Sequence, residues 1–328
     1  MRRVLAVVAA AAMVAAAISV RSRLDRRQQE QANPVRVVCA AELGPACDAL
    51  RGTSAQVTVE PTTTTADRLG HSDAGDSALD GWLVPAPWPQ IVDAERRTRA
   101  LLPLFGEVGA PLARSPLVLV VRQTLASALA GPCGGPPGWK CLGEAAGRGQ
   151  AKPGHPDPAV NAFGALTVGQ ATAAFFGRVA DLSSADLDDA NFARWFNALE
   201  RATAPLASGG SPLNEMLGTN FAAYDAVGTI EAEAVPVLAA SAVKDRVALL
   251  YPSPMATADV VLAGATPGLA GRLRAVAGGD ATRRALAAAG WRVEGITRPA
   301  DPALPATSGL PSPGFLDTLR ARAAEVRR

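Results

Sequence analysis

The sequence predicts an α/β protein of two lobes, each a mainly parallel sheet flanked by helices, joined by two crossover strands. Three observations carry this. Strand-like runs alternate with helical ones from Val35 onward, the pattern of βαβ units. Residues 117–121 (Leu-Val-Leu-Val-Val) are continuously apolar, opened by Ser115-Pro116 and closed by Arg122, as a strand buried on both faces requires. A second such run, Val247–Leu250, comes much later and ends among prolines. Side by side, these two runs would take the chain out of one lobe and back into it.

The elements follow in order. Residues 35–39 form a first strand and residues 40–50 begin a helix. Residues 56–60 alternate with period two, a second strand. Pro61 and four threonines then lead into Ala66, and residues 80–85 form a third strand leaving through Pro85-Ala86-Pro87-Trp88-Pro89. Residues 91–100 are helical, and 101–113 approach the crossover. Beyond it, residues 124–129 are helical and a Gly/Pro-rich loop holds Cys133 and Cys141. A breaker-dense loop from Pro153 runs into an Ala-rich helix over 162–176, with Asn161 as its N-cap. Residues 186–206 read as one amphipathic helix whose Phe192, Trp195, Phe196 and Leu199 are core by their helical spacing. Residues 211–217 begin another helix, and 226–234 contain a short strand. Residues 273–289 read as one helix ended by Gly290, and Trp291-Arg292-Val293 as a last strand.

Length and composition set the outer bounds. A chain of 328 residues has room for two domains. Its 48% hydrophobic and 19% charged content describes a globular body. A net charge of +2 points to no nucleic-acid partner. The four cysteines fall into two local pairs of equal spacing, Cys39 with Cys47 and Cys133 with Cys141. With only two histidines and no C-x-x-C, two disulfides in an oxidising compartment fit better than zinc.

The N-terminus agrees with that compartment. Met1-Arg2-Arg3 precedes an uncharged apolar stretch, residues 4–20, and then a basic segment. This is an export signal. The stretch is long for a signal peptide and short for a bilayer span. It reads as an uncleaved signal anchor in preference to a peptide cleaved near Ala15-Ala16-Ala17.

At this point the chain resembles the type 2 periplasmic solute-binding proteins, in particular their molybdate/sulfate-like branch. Val38-Cys39-Ala40-Ala41-Glu42-Leu43 is similar to that branch's first strand and turn, and residues 113–121 to its first crossover strand. Residues 156–166 match a loop that presents backbone N–H groups to ligand, and residues 289–293 the end of the last helix. The resemblance implies a first lobe of residues 34–113 and 246–295 and a second of 114–245, closing over a ligand. Residues 1–20 are then the signal peptide or anchor, 21–33 a polar tether, and 296–328 a Pro-rich segment with a C-terminal basic helix. It also implies an extracytoplasmic monomer, secreted or membrane-held, that captures a small-molecule or ion solute without cofactor or catalysis and hands it to an ABC permease.

One departure bears on the ligand. Oxyanion binders of this branch carry serine in the first turn, where this chain has Glu42, and Ile230 stands where they carry a tyrosine, beside Glu231. A cleft-facing Glu42 would repel molybdate or sulfate and favour a cationic or polyhydroxylated ligand; a solvent-facing one would only suit the helix dipole. The candidate contacts are Glu42, Thr64, Thr65, Ser115, Asn161, Ala162 and Glu231. Trp82 or Trp88 could stack on a ligand, and His155 reads as a surface residue. Two other functions are set beside transport. One is a membrane-anchored sensor or interaction protein that keeps the fold. The other is a carboxylate-dependent enzyme using Glu42, Asp225 or Glu231, for which no G-x-S-x-G, P-loop or dinucleotide motif speaks.

Overall fold

A computed structural model describes Arg21 and residues 34–72, 79–106, 108–203, 210–265, 267–297 and 302–327. The apolar N-terminal stretch and all but Arg21 of the tether lie outside these residues. Among the described residues, no helix is long and apolar enough to cross a membrane.

The strands are β1 (Arg36–Ala40), β2 (Gln56–Glu60), β3 (Gly81–Ala86), β4 (Ala113–Arg122), β5 (Pro153–Gly154), β6 (Ala226–Ile230), β7 (Val247–Leu250) and β8 (Thr257–Gly264). They follow the order β2-β1-β3-β8-β4-β6-β5, with β7 also on β4. The fold turns on β4. Its residues Ala113 to Pro116 pair antiparallel with β8, within the first lobe. Leu117 to Val121 then pair with β6, and Leu119 to Arg122 with β7, in the second. The two apolar runs do lie side by side, Leu119 opposite Leu250. Pro116 sits where β4 changes partners, a place where a residue without an N–H is tolerated.

Because a strand's side chains alternate between faces, β4 serves two cores in the second lobe. Leu119 and Val121 enter one with Trp139, Phe192 and Phe196. Val118 and Val120 enter the other with Met216, Tyr224 and Val247. Leu117 belongs to the first-lobe core, with Trp82, Trp88 and Leu83. Both Trp82 and Trp88 are fully buried, so neither reaches a ligand.

The helices are α1 (Gly44–Arg51), α2 (Thr62–His71), α3 (Trp88–Thr98), α4 (Gln123–Cys133), α5 (Trp139–Gly147), α6 (Ala162–Phe176), α7 (Ser184–Leu187), α8 (Ala190–Ala202), α9 (Pro212–Asn214), α10 (Glu231–Ala240), α11 (Pro267–Ala277), α12 (Asp280–Ala288) and α13 (Pro313–Arg327). Two long helices expected from the sequence are each split. The helix expected over 186–206, whose last three residues lie outside the described ones, divides because Ser183 and Asp186 close a capping box on α7, while Asp189 caps α8 by accepting from Asn191 N and Phe192 N. Residues 273–289 divide at Gly278-Gly279, where a Cβ on Gly278 would stand 2.8 Å from the Arg274 carbonyl oxygen. Trp291-Arg292-Val293 contributes a single bridge, Arg292 to Arg114, rather than a strand. Both disulfides are formed, Cys39–Cys47 and Cys133–Cys141.

The C-terminal helix is no surface appendage. α13 buries Phe315, Leu316, Leu319 and Ala323. Its Arg320 lies 3.5 Å from Asp67 and over the Trp88 ring, in the first lobe. Its Arg322 donates to the Leu187 carbonyl at 2.6 Å, and Arg327 pairs with Glu200 at 2.6 Å, in the second lobe. The basic residues are spent on this strap.

Glu200 also meets His155 Nε2 at 3.1 Å, both side chains fully buried. His155, read as surface from its Pro and Gly neighbours, is therefore interior: the loop carrying it is pressed onto Trp139 and α8. Burial alone would raise the Glu200 pKa. The attraction of His155 and of the Arg327 guanidinium, with their hydrogen bonds, outweighs it and holds the carboxyl below its ordinary value.

Two outcomes follow. Leu319→Ala should cost about 2–5 kcal/mol, as a cavity in a closed core does, read as a fall in the urea midpoint. Glu200→Gln should cost about 1–3 kcal/mol at neutral pH, because the half-buried Arg327 loses its charged hydrogen bond and is left with the more distant carboxylate of Asp157, 3.9 Å away. Since the folded-state pKa of Glu200 is depressed, its contribution is present above the ordinary Glu range and lost as pH falls through the folded value. The gap between wild type and Glu200→Gln in Tm should therefore close in acid.

Candidate functional site

Between the lobes lies a cleft of about 360 Å³ lined by Glu42, Asn161, Phe163, Ile230, Glu233 and Trp291, among others. Each wall comes from an element the sequence forces locally. On the first-lobe side, β1 ends in a 3₁₀ turn, Ala41–Leu43, and Cys39–Cys47 closes the loop that holds Glu42. By its loop length that bridge stabilises by about 2–3 kcal/mol, mainly through the unfolded chain. On the second-lobe side, Asn161 caps α6, its Oδ1 accepting from Phe163 N at 2.9 Å and Gly164 N at 3.2 Å. Gly164 is required there: a Cβ would stand 2.3 Å from the Pro156 carbonyl oxygen.

Glu42 faces the cleft and reaches across it. Its Oε1 accepts from Ala162 N, at the start of α6, at 3.2 Å. From its own lobe the carboxylate accepts the Thr62 N–H at 3.3 and 3.4 Å and the Thr62 hydroxyl at 2.9 Å. The first amides of α2 and α6, each at a positive dipole end, thus converge on one carboxylate. Glu233, opposite, lies in the first turn of α10 and accepts from the Ser211 and Thr229 hydroxyls. Trp291 and Phe163 stand as neighbours with ring centroids 6.0 Å apart. Among the described residues, no Lys, Arg or His lines this cleft.

The other candidate residues sit elsewhere. Thr64 is exposed, and Thr65 is buried with its hydroxyl on Glu60 at 2.9 Å. The threonines open a helix instead of closing a strand, and at 3.6 residues per turn it is Thr62 that meets Glu42. Ser115 is buried on β4, where its Oγ accepts the Ala232 N–H at 2.9 Å and ties β4 to the first turn of α10. Glu231 lies outside the cleft lining. It accepts from Arg292 Nε at 2.7 Å and from the Tyr251 hydroxyl at 2.6 Å. Burial, and then the hydrogen bond to Glu231, push the Tyr251 pKa up to about 12, while that carboxylate also raises Arg292.

Thr62, Phe163, Glu233 and Trp291 were missed from sequence. Thr62 had a local signal, following Pro61 at a helix start, and Glu233 had one in the acidic first turn of α10. The two aromatics had none.

No family model and no curated protein matches the chain. Solved structures do match. A periplasmic thiamin binding protein is similar over 90% of this chain and 96% of its own, with a TM-score of 0.57 at 13% identity. An ABC transporter structure from Clostridium perfringens is similar over 89% of this chain and 98% of its own, TM-score 0.54 at 11% identity. A two-component system protein that mediates signal transduction is similar over 90% and 100%, TM-score 0.54 at 14% identity. The chain has the two-lobed fold of periplasmic binding proteins. The likeness singles out no branch of them.

The Glu231 cluster gives a direct test. Glu231→Ala leaves the Arg292 guanidinium, whose side chain is 12% exposed, without its carboxylate. The loss should be about 3 kcal/mol, measured as the shift in the urea midpoint.

Proposed function

We propose that the protein is an extracytoplasmic solute-binding protein that takes a small ligand between its lobes for ABC-type uptake, held at the membrane through its N-terminal segment. The observation that carries the reading is the cleft itself: it lies between lobes that share β4, and two carboxylates and two aromatic rings face it with no basic side chain among the described residues. Such a cleft suits a cationic or polyhydroxylated solute. Carboxylates attract a cation or accept from hydroxyls, and Trp and Phe faces stack on either. A tetrahedral oxyanion, the ligand class of the molybdate/sulfate-like branch, would meet Glu42 and Glu233 as like charges.

A second reading is favoured by two observations, the strap of α13 across both lobes and the likeness to a signal-transduction protein. It is an anchored surface sensor that keeps the fold without transport. An enzymatic role has no support in the site, because both cleft carboxylates are engaged by fixed hydrogen-bond donors.

The test is the Tm of the full chain, disulfides intact, against polyamines, amino acids, sugars, metal ions and oxyanions. A cationic or polyhydroxylated solute should stabilise by about 2.7 kcal/mol at a hundredfold excess over its Kd. Glu233→Gln should weaken a cationic ligand about tenfold or more. Stabilisation by oxyanions alone would overturn the ligand class, and silence across the panel would favour the sensor.

A further inference from the structure

We propose that Glu42 is a built-in ligand: its carboxylate occupies an anion receptor assembled from both lobes, and so shuts free anions out of the protein. The receptor is recognisable without reference to any solute. The amide of Ala162 at the start of the fifteen-residue α6, and the amide and hydroxyl of Thr62 at the start of α2, point at one place from opposite lobes. Convergent N–H groups at helix starts favour negative charge. The bound anion is on the page, and it is the chain's own.

Glu42 is more than the cap of a neighbouring helix. Thr62 is twenty residues away and in the same lobe, whereas Ala162 is 120 residues away in the other. Among the described residues, the hydrogen bonds to the carboxylate come from these two, and together they engage both oxygens. The turn that carries it is pinned between Cys39 and Cys47. A carboxylate held there has a high effective concentration, so millimolar solute anions cannot displace it. The same bonds join the two lobes. This does not depend on which solute the rest of the cleft accepts.

Chemical rescue tests it. Glu42→Ala, in the full chain, should vacate the receptor, and sodium formate or acetate should then refill it. Expected are a Tm below wild type that formate restores saturably, sodium chloride at equal ionic strength failing to do so, and at least about tenfold tighter formate binding than wild type by calorimetry. Glu42→Gln, whose amide oxygen accepts without charge, should respond less. A second variant guards against a merely structural effect. Ala162→Pro deletes the second-lobe donor at the first helical position, where proline is tolerated, after an Asn161 already extended at φ −135° and ψ 130°. In the double variant Glu42→Ala/Ala162→Pro the formate response should fall about tenfold. Formate binding equally to wild type and Glu42→Ala would overturn the proposal, as would a Glu42→Ala protein indifferent to both carboxylates. A rescue equal in the double variant would remove Ala162 from the receptor and overturn its two-lobed form.

Discussion

The structure depends on one strand doing duty in two sheets. β4 pairs with β8 through Pro116 and with β6 and β7 after it, so the lobes cannot be separated without breaking one continuous ladder. A strand in that position is covered on both faces, and polar side chains there would be buried without partners. This is why residues 117–121 are all apolar, and why alternate residues feed different cores. Ser115, a buried hydroxyl beside the junction, accepts the Ala232 amide, which fixes α10 against the same strand.

Around that strand the lobes are fastened at several depths. Glu231 gathers Arg292 and Tyr251 behind the cleft, and α13 spans from Asp67 and Trp88 to Glu200 and Leu187. Glu42 fastens them within the cleft itself. Most of these ties are charged groups shielded from water, where attraction is screened less than at a surface.

Much of the fold was legible because it is written in local patterns. Period-two runs, the unbroken apolar run, the Cys39/Cys47 and Cys133/Cys141 spacing and the Asn161 cap all act over a few residues. The failures were also local in form. Residues 273–289 have helical composition throughout, but two glycines in succession let the chain turn, and the turn is decided by what α11 and α12 pack against. Thr64 and Thr65 were expected to contact ligand, but the proline followed by threonines opens a helix that leaves Thr64 exposed and turns Thr65 onto Glu60. His155 looked exposed because Pro and Gly usually mark surface turns, and its partners Glu200 and Arg327 lie far along the chain.

The sequence by itself therefore determined β1 to β4, β6 and β7 but neither β5 nor β8, together with the α/β class, the two disulfide pairs, and the presence of an acid in the turn after β1. It could not decide what that acid touches. A carboxylate of the same local setting can face water or take a helix amide from the other lobe, and the choice is made by packing across 120 residues of chain. Hydrogen-bond and ion-pair partners are set by proximity in space, where burial removes the competing water. Only the tertiary structure brings Glu42, Thr62 and Ala162 to one point.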